Sequence, residues 1–143
     1  MKHIYTIIAF TLVLQSCGGI AAGMANRIYI DTPNDKYVAK KINELKPLFL
    51  TEEQTQQAES LYLEEIEDLK ENAYREKKKE ISNSGSLDFI QYRWLKSELL
   101  LRNLLTERQL EVYIAPTGMS NYSEKRINRE RKKLEKMGYE VPN

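Results

Sequence analysis

The chain has 143 residues, of which 22 are Lys or Arg and 21 are Asp or Glu, with one His and one Cys. This length accommodates one domain, and a single cysteine excludes a disulfide within the chain. The formal net charge of +1 gives no overall attraction to phosphate backbones, so we predict that nucleic acid is not a partner.

The N-terminal residues 1–16 have the layout of a signal peptide, because Lys2 precedes an apolar run from Ile4 to Leu14. The sequence Leu-Gln-Ser-Cys that ends at Cys17 resembles a bacterial lipoprotein signal, in which the cysteine becomes the first mature residue and carries lipid. We therefore predict that Cys17 is the lipid attachment site. This places the protein in the bacterial cell envelope, anchored in a membrane and facing the periplasm.

Two other interpretations of the N-terminus remain open. The 22 uncharged positions from Ile4 to Ala25 are long enough for a membrane-spanning helix, and cleavage after Ala25 would release the protein into the periplasm. Cleavage before Cys17 removes Lys2 and His3, which leaves 21 basic and 21 acidic residues and no histidine. We therefore predict no metal site and no cofactor, since the commonest metal ligand is missing.

Residues 17–34 are rich in small residues and lack a helical period, so they are predicted to be a flexible tether. The alternative is that Arg27–Ile30 pairs as a short strand or packs on the domain. The LTxxQ helical-hairpin domain is predicted to span residues 35–119. It begins with a short helix after Asp35 that ends at Pro47. A long helix should then follow Thr51, since its apolar side chains form one stripe at a helical period: Ala58, Tyr62, Ile66, Leu69 and Ala73.

The segment Ser82–Ser86 is predicted to be the turn of a helical hairpin, after which a second helix returns antiparallel from Leu87 to about Leu104. One apolar side of this helix includes Trp94, which is predicted to lie in the core. A second stripe, formed by Tyr92, Leu95 and Leu99, lies more than about 100° away around the helix and cannot be covered by the same partner. We predict that it is a client or dimer surface, with contact to the helix after Asp35 as the alternative.

The C-terminal region, residues 120–143, carries seven basic and four acidic residues. A helix is predicted from a cap at Ser123 to about Met137, where Gly138 ends it. The pattern favours a solvated helix with salt-bridged neighbours over one that binds acidic headgroups or an acidic partner.

The motif Leu-Thr-x-x-Gln occurs twice, at Leu50, Thr51 and Gln54 and again at Leu105, Thr106 and Gln109. Threonine followed three residues later by glutamine is a capping box, in which the hydroxyl accepts from the N3 backbone N–H and the glutamine side chain returns to the cap N–H. Each motif therefore predicts a helix start.

Two LTxxQ motifs around a helical hairpin, behind an export signal, resemble the Spy/CpxP family of periplasmic stress proteins. The resemblance covers about residues 36–115. It implies an all-α fold: a long antiparallel helical hairpin with short flanking helices that dimerises into a thin curved cradle. It also implies ATP-independent binding of unfolded proteins, and in some family members the restraint of an envelope-stress sensor.

Catalysis is not predicted, because the mature chain has no histidine to activate a serine and no free thiol. The carboxylates Glu64, Glu65, Glu67 and Asp68 are predicted to form a solvated helix face. The leading functional hypothesis is a membrane-tethered homodimeric holdase for unfolded envelope proteins. The alternatives are an accessory regulator that docks on a sensor protein and a structural lipoprotein without client activity.

Overall fold

The computed structural model describes residues 23–143, and all the regular structure in this range is helical. Residues 23–31 form α1, and the remaining helices are α2 (Asn34–Glu44), α3 (Glu52–Lys77), α4 (Asn83–Leu104), α5 (Glu107–Ile114) and α6 (Glu124–Lys136). A single 3-10 turn, Lys46–Leu48, follows α2. The predicted signal peptide and the lipid attachment site at Cys17 lie outside the described residues.

The two long helices α3 and α4 form the predicted antiparallel hairpin. Their contacts pair late residues of α3 with early residues of α4: Asn72 bonds to Ser86, Asp68 contacts Arg93, and Gln54 at the start of α3 reaches Leu104. The five residues predicted to form the apolar stripe of α3 are all buried. The prediction of an all-α hairpin with short flanking helices is therefore confirmed.

The segment before the hairpin is helical and docked, whereas the sequence predicted a flexible tether up to residue 34. In α1, the Tyr29 ring is 8% exposed and packs with Ile66, Leu69 and Ile90. The buried Asn26 amide donates to Ser86 Oγ at 2.8 Å. The tether prediction is wrong for residues 23–34, because Asn26 and Tyr29, one helical turn apart, give an otherwise small-residue segment one face that packs.

The turn between α3 and α4 lies earlier than predicted. α3 ends in a Schellman motif, in which Lys79 N–H donates to Glu76 O and Glu80 N–H donates to Arg75 O, both at 2.9 Å. Ser82 is the N-cap of α4 and accepts from Gly85 N–H at 3.1 Å. Gly85 therefore lies in the first turn of α4, and the predicted turn at Ser82–Ser86 is wrong, because the serine caps a helix instead of continuing the turn.

Lys79 occupies the left-handed position of this motif, with φ +60°. A residue with a Cβ atom is strained there, whereas glycine is not. We expect Lys79→Gly to raise the free energy of unfolding by up to about 1 kcal/mol. Chemical denaturation of the two proteins measures this, with Lys78→Gly as the control, since Lys78 has φ −80° and gains nothing from glycine.

The C-terminal helix α6 packs antiparallel on α4. Ile127 and Leu134 are 3% and 0% exposed and form a cluster with Leu95 and Leu99. Lys133 Nζ lies 3.0 Å from Asp88 Oδ1, near the start of α4. The Ser123 cap and the helix are present as predicted, but the expectation of a solvated helix is wrong, because one face of α6 is apolar and buried.

Candidate functional site

Both capping boxes predicted from the LTxxQ motifs are present. In the first, Gln54 N–H donates to Thr51 Oγ1 at 3.1 Å, and Thr51 N–H donates to Gln54 Oε1 at 3.0 Å. In the second, the corresponding bonds between Gln109 and Thr106 measure 3.3 and 2.9 Å. Each motif therefore begins its helix, α3 or α5, by satisfying backbone donors that would otherwise lack partners.

The two motifs are also bonded to each other. Gln54 Nε2 donates to Gln109 Oε1 at 2.8 Å, and Gln109 Nε2 donates to Gln54 Oε1 at 3.1 Å. The remaining N–H of each amide reaches a carbonyl beside the other motif: Gln54 donates to Leu104 O at 2.8 Å, and Gln109 donates to Leu48 O at 3.2 Å. We call this reciprocal pair the glutamine joint. It fastens the end of the hairpin opposite the α3–α4 turn, which we call the motif end.

The joint explains why both motifs end in glutamine. A glutamate would serve equally well in a capping box, since that role needs only an acceptor oxygen. The joint also needs two donors from each side chain, and a carboxylate has none. Glutamine at positions 54 and 109 is therefore required by the contact between the motifs rather than by the helix starts alone.

The apolar residues of the motifs pack beside the joint. Leu50, Leu105 and Leu110 are partly buried against a core cluster whose buried members are Leu45, Leu48, Ala58, Leu61, Tyr62, Leu101 and Tyr113. The predicted motif residues are thus brought together from positions about 55 residues apart in sequence. Their observed role is to hold α3, α5 and the turn before α3 at the motif end.

The predicted client or dimer surface is covered in this structure. Leu95 and Leu99 are buried under α6, and the Tyr92 ring stacks on Tyr139 with ring centroids 4.6 Å apart. The expectation of a free surface is wrong, as is the alternative contact with the helix after Asp35, because α2 packs on α3 instead. The physical reason is that α6 supplies its own apolar face for the second stripe of α4.

A buried carboxylate, Glu98, joins α4 to α5 and to the segment between α5 and α6. Glu98 is 7% exposed and accepts from Tyr113 Oη at 2.7 Å, from Arg102 Nε at 2.8 Å and from the Ser120 hydroxyl. Arg102 in turn donates to Tyr122 O at 2.6 Å. Burial and the Glu98 carboxylate both raise the pKa of Tyr113, which therefore stays a neutral donor. This network fixes the path by which the chain reaches α6.

A second buried carboxylate, Glu65, lies on the side of α3 that packs against α2. It is 1% exposed, accepts from the Tyr37 hydroxyl and lies 3.7 Å from Lys41 Nζ. Burial, followed by the Glu65 charge, raises the pKa of Tyr29 to about 12 and raises that of Tyr37 and Tyr62 as well. The prediction that Glu65 belongs to a solvated face is wrong. The signal that identifies it is its spacing, since residue 65 falls on the stripe of positions 62, 66 and 69.

Large apolar side chains are exposed at the motif end. Phe49, which precedes the first motif, is 88% exposed and has the left-handed backbone angles φ +51° and ψ +54°. In α5, Val112 and Ile114 are 47% and 43% exposed. The bond from Gln109 to Leu48 O holds α5 beside the residue next to Phe49. Val112 lies one helical turn after Gln109 and therefore shares its side of α5, whereas Ile114 lies on another side of the helix. We call Phe49 and Val112 the apolar edge.

Trp94 is 40% exposed, so its predicted place in the core is wrong. Ile90 and Leu101 occupy the buried side of α4 instead. Within residues 23–143, no group of three or more His, Cys, Asp or Glu side chains is arranged to hold a metal ion. None of the helices in this range is both long and apolar enough to cross a bilayer.

Comparison with known proteins gives no relative. No protein-family model, curated protein or solved structure matches the chain.

Proposed function

We propose that this protein is a membrane-tethered, ATP-independent holdase that binds apolar segments of unfolded envelope proteins. The observation that carries the proposal is the apolar edge, where Phe49 projects almost fully into solvent. An exposed aromatic residue on a strained backbone is unfavourable for an isolated fold, so a contact with another polypeptide accounts for it. The same edge adjoins the two motifs on which the resemblance to the Spy/CpxP family rests.

Two features of the motif end suit reversible binding of apolar segments. The glutamine joint and the core cluster beneath it hold α5 and the turn before α3 in place, so the edge is a fixed platform. The acidic residues Glu52, Glu53, Glu107 and Glu111 are exposed nearby on α3 and α5, and they keep the platform hydrated between clients. Reversible binding through a few apolar contacts needs neither a deep cavity nor ATP.

The test is the suppression of aggregation of a chemically unfolded protein, followed by light scattering. The full mature chain should suppress scattering at near-stoichiometric amounts. Phe49→Ser combined with Val112→Ser should remove most of this effect, since both side chains are at the surface and their loss leaves the core intact.

The matched control is Leu63→Ser with Tyr74→Ser, two exposed apolar residues on the outer face of α3. This variant should keep the wild-type suppression, and thermal unfolding should show that all three proteins are folded. Absence of suppression by the wild-type chain, together with one tightly bound envelope protein, would instead support the regulator hypothesis.

A further inference from the structure

We propose that the α3–α4 turn binds the anionic phospholipid headgroups of the membrane that anchors the protein. We define the hairpin tip as residues 77–83. The inference rests on the lipid tether at Cys17 within the proposed function, but not on client binding. In this arrangement the hairpin tip contacts lipid, and the motif end points away from the bilayer.

The direction of α1 fixes which end of the hairpin lies near the anchor. Asn26 bonds to Ser86, three residues into α4, whereas Tyr29 packs further along the hairpin against Ile66 and Leu69. The N-terminal end of α1 is therefore level with the tip. Five residues separate Cys17 from residue 23, and the six Cα–Cα steps between these two positions span at most about 20 Å. Since α3 has 26 residues and is about 39 Å long, the anchor can reach the membrane beside the tip but not beside the motif end.

The charge of the tip complements anionic headgroups. Lys77, Lys78 and Lys79 are consecutive and exposed, and none of them forms an ion pair within the described part of the chain. Two acidic residues flank the lysines: Glu80 pairs with Arg75 at 3.8 Å, and Glu76 precedes Lys77. Residues 75–80 therefore carry four basic and two acidic side chains. Lysine side chains within a Debye length of an anionic bilayer are attracted to it, and the tether keeps these three close to the surface.

The backbone supplies an independent observation. Lys79 occupies the left-handed position where glycine is favoured, while α6 ends in the same motif with Gly138 at φ +88°. The chain thus uses glycine at one Schellman position and a strained lysine at the other. Places where a sequence breaks a local rule are often functional. Here lysine stands at a position that favours glycine, and it adds a third positive charge to the tip.

The test compares the two ends of the acylated, full mature protein in vesicles. Because Cys17 is the chain's single cysteine and would carry the lipid, a dye can be attached at Asn83→Cys in the tip or at Arg108→Cys at the motif end. Energy transfer to a headgroup-labelled acceptor should be strong from the tip and weak from the motif end. Transfer from the tip should rise at least about twofold when phosphatidylglycerol is added to phosphatidylethanolamine.

Replacing Lys77, Lys78 and Lys79 with Gln should abolish this dependence on phosphatidylglycerol. The charge-matched control replaces Lys36, Lys40 and Lys46, three exposed lysines on or just after α2, and should preserve it. Equal transfer from both ends, or no response to phosphatidylglycerol, overturns the proposal. Absence of an acyl chain on Cys17 by mass spectrometry also overturns it, whereas the light-scattering assay judges client binding separately.

Discussion

Gln54→Glu should lower the free energy of unfolding by about 2 kcal/mol at neutral pH, although glutamate is a favourable capping-box residue. The substitution preserves the acceptor for Thr51 N–H and removes the two N–H donors that the Gln54 side chain contributes. Leu104 O loses a partner, and a carboxylate oxygen faces Gln109 Oε1. Thr51→Ala should cost only about 1 kcal/mol, because it removes the cap hydroxyl alone. Urea denaturation of the two variants separates the role of the joint from that of the cap.

The paired variant, Gln54→Glu with Gln109→Glu, should depend on pH more strongly than either single change. Two carboxylates in contact cannot both ionise at low cost, so one folded-state pKa rises above the usual value of about 4.3. A raised folded-state pKa means that the full stability is present below about pH 4.3 and is lost as pH rises through the shifted pKa. A variant whose stability relative to wild type is greater at pH 7 than at pH 4 would contradict this arrangement.

A double-mutant cycle with Gln54→Ala and Gln109→Ala measures the joint directly. The coupling free energy should be about 1–2 kcal/mol, because each substitution alone already removes both hydrogen bonds between the two amides. Gln54→Ala with Gln57→Ala is the matched control, because Gln57 is exposed on α3 and its side chain hydrogen-bonds, within residues 23–143, to Glu53 alone. Additive losses for Gln54 and Gln109 would mean that the two motifs act as separate caps.

Local signals in the sequence identified the starts of α3, α5 and α6 correctly, whereas the start of α4 at Ser82 was assigned to the turn. A cap is decided within four residues, so Thr51, Thr106 and Ser123 each carry the information for their own helix. The stripe from Ala58 to Ala73 is similarly a property of one helix. Neither signal identifies the segment against which its helix packs. The bond from Gln54 to Gln109 forms only when the hairpin brings together positions that are 55 residues apart in sequence.

Non-local choices account for the incorrect predictions. The second apolar stripe of α4 indicated that some other surface must pack on it. The surfaces predicted to do so were a client, a second copy or the helix after Asp35, and not α6. Ile127 and Leu134 are seven residues apart, two helical turns, and this spacing was the available sign that α6 has an apolar face. Seven basic residues in the same region led instead to the prediction of a solvated helix. The prediction that Glu65 is solvated was wrong because its charge suggested exposure, although its position lies on the buried stripe of α3.

Leu134→Asp should produce one of the largest losses of stability in the chain. The Leu134 side chain is fully buried between α6 and α4, so the change removes its packing and places a charge in the apolar cluster that the two helices share. We expect the free energy of unfolding to fall by about 3–5 kcal/mol, or α6 to detach if local opening costs less than that. Lys132→Asp is the control on the exposed side of the same helix.

Detachment of α6 uncovers the stripe predicted to be a client or dimer surface, so the same variant tests that hypothesis. Sedimentation should show concentration-dependent association of Leu134→Asp and none of Lys132→Asp, because Tyr92, Leu95 and Leu99 would then form an exposed apolar strip. Adding Tyr92→Ser should weaken the association if this strip is the contact. If wild-type protein is already a dimer and Tyr92→Ser leaves it unchanged, the seam lies elsewhere, since α6 and the stripe cannot face both each other and a second copy.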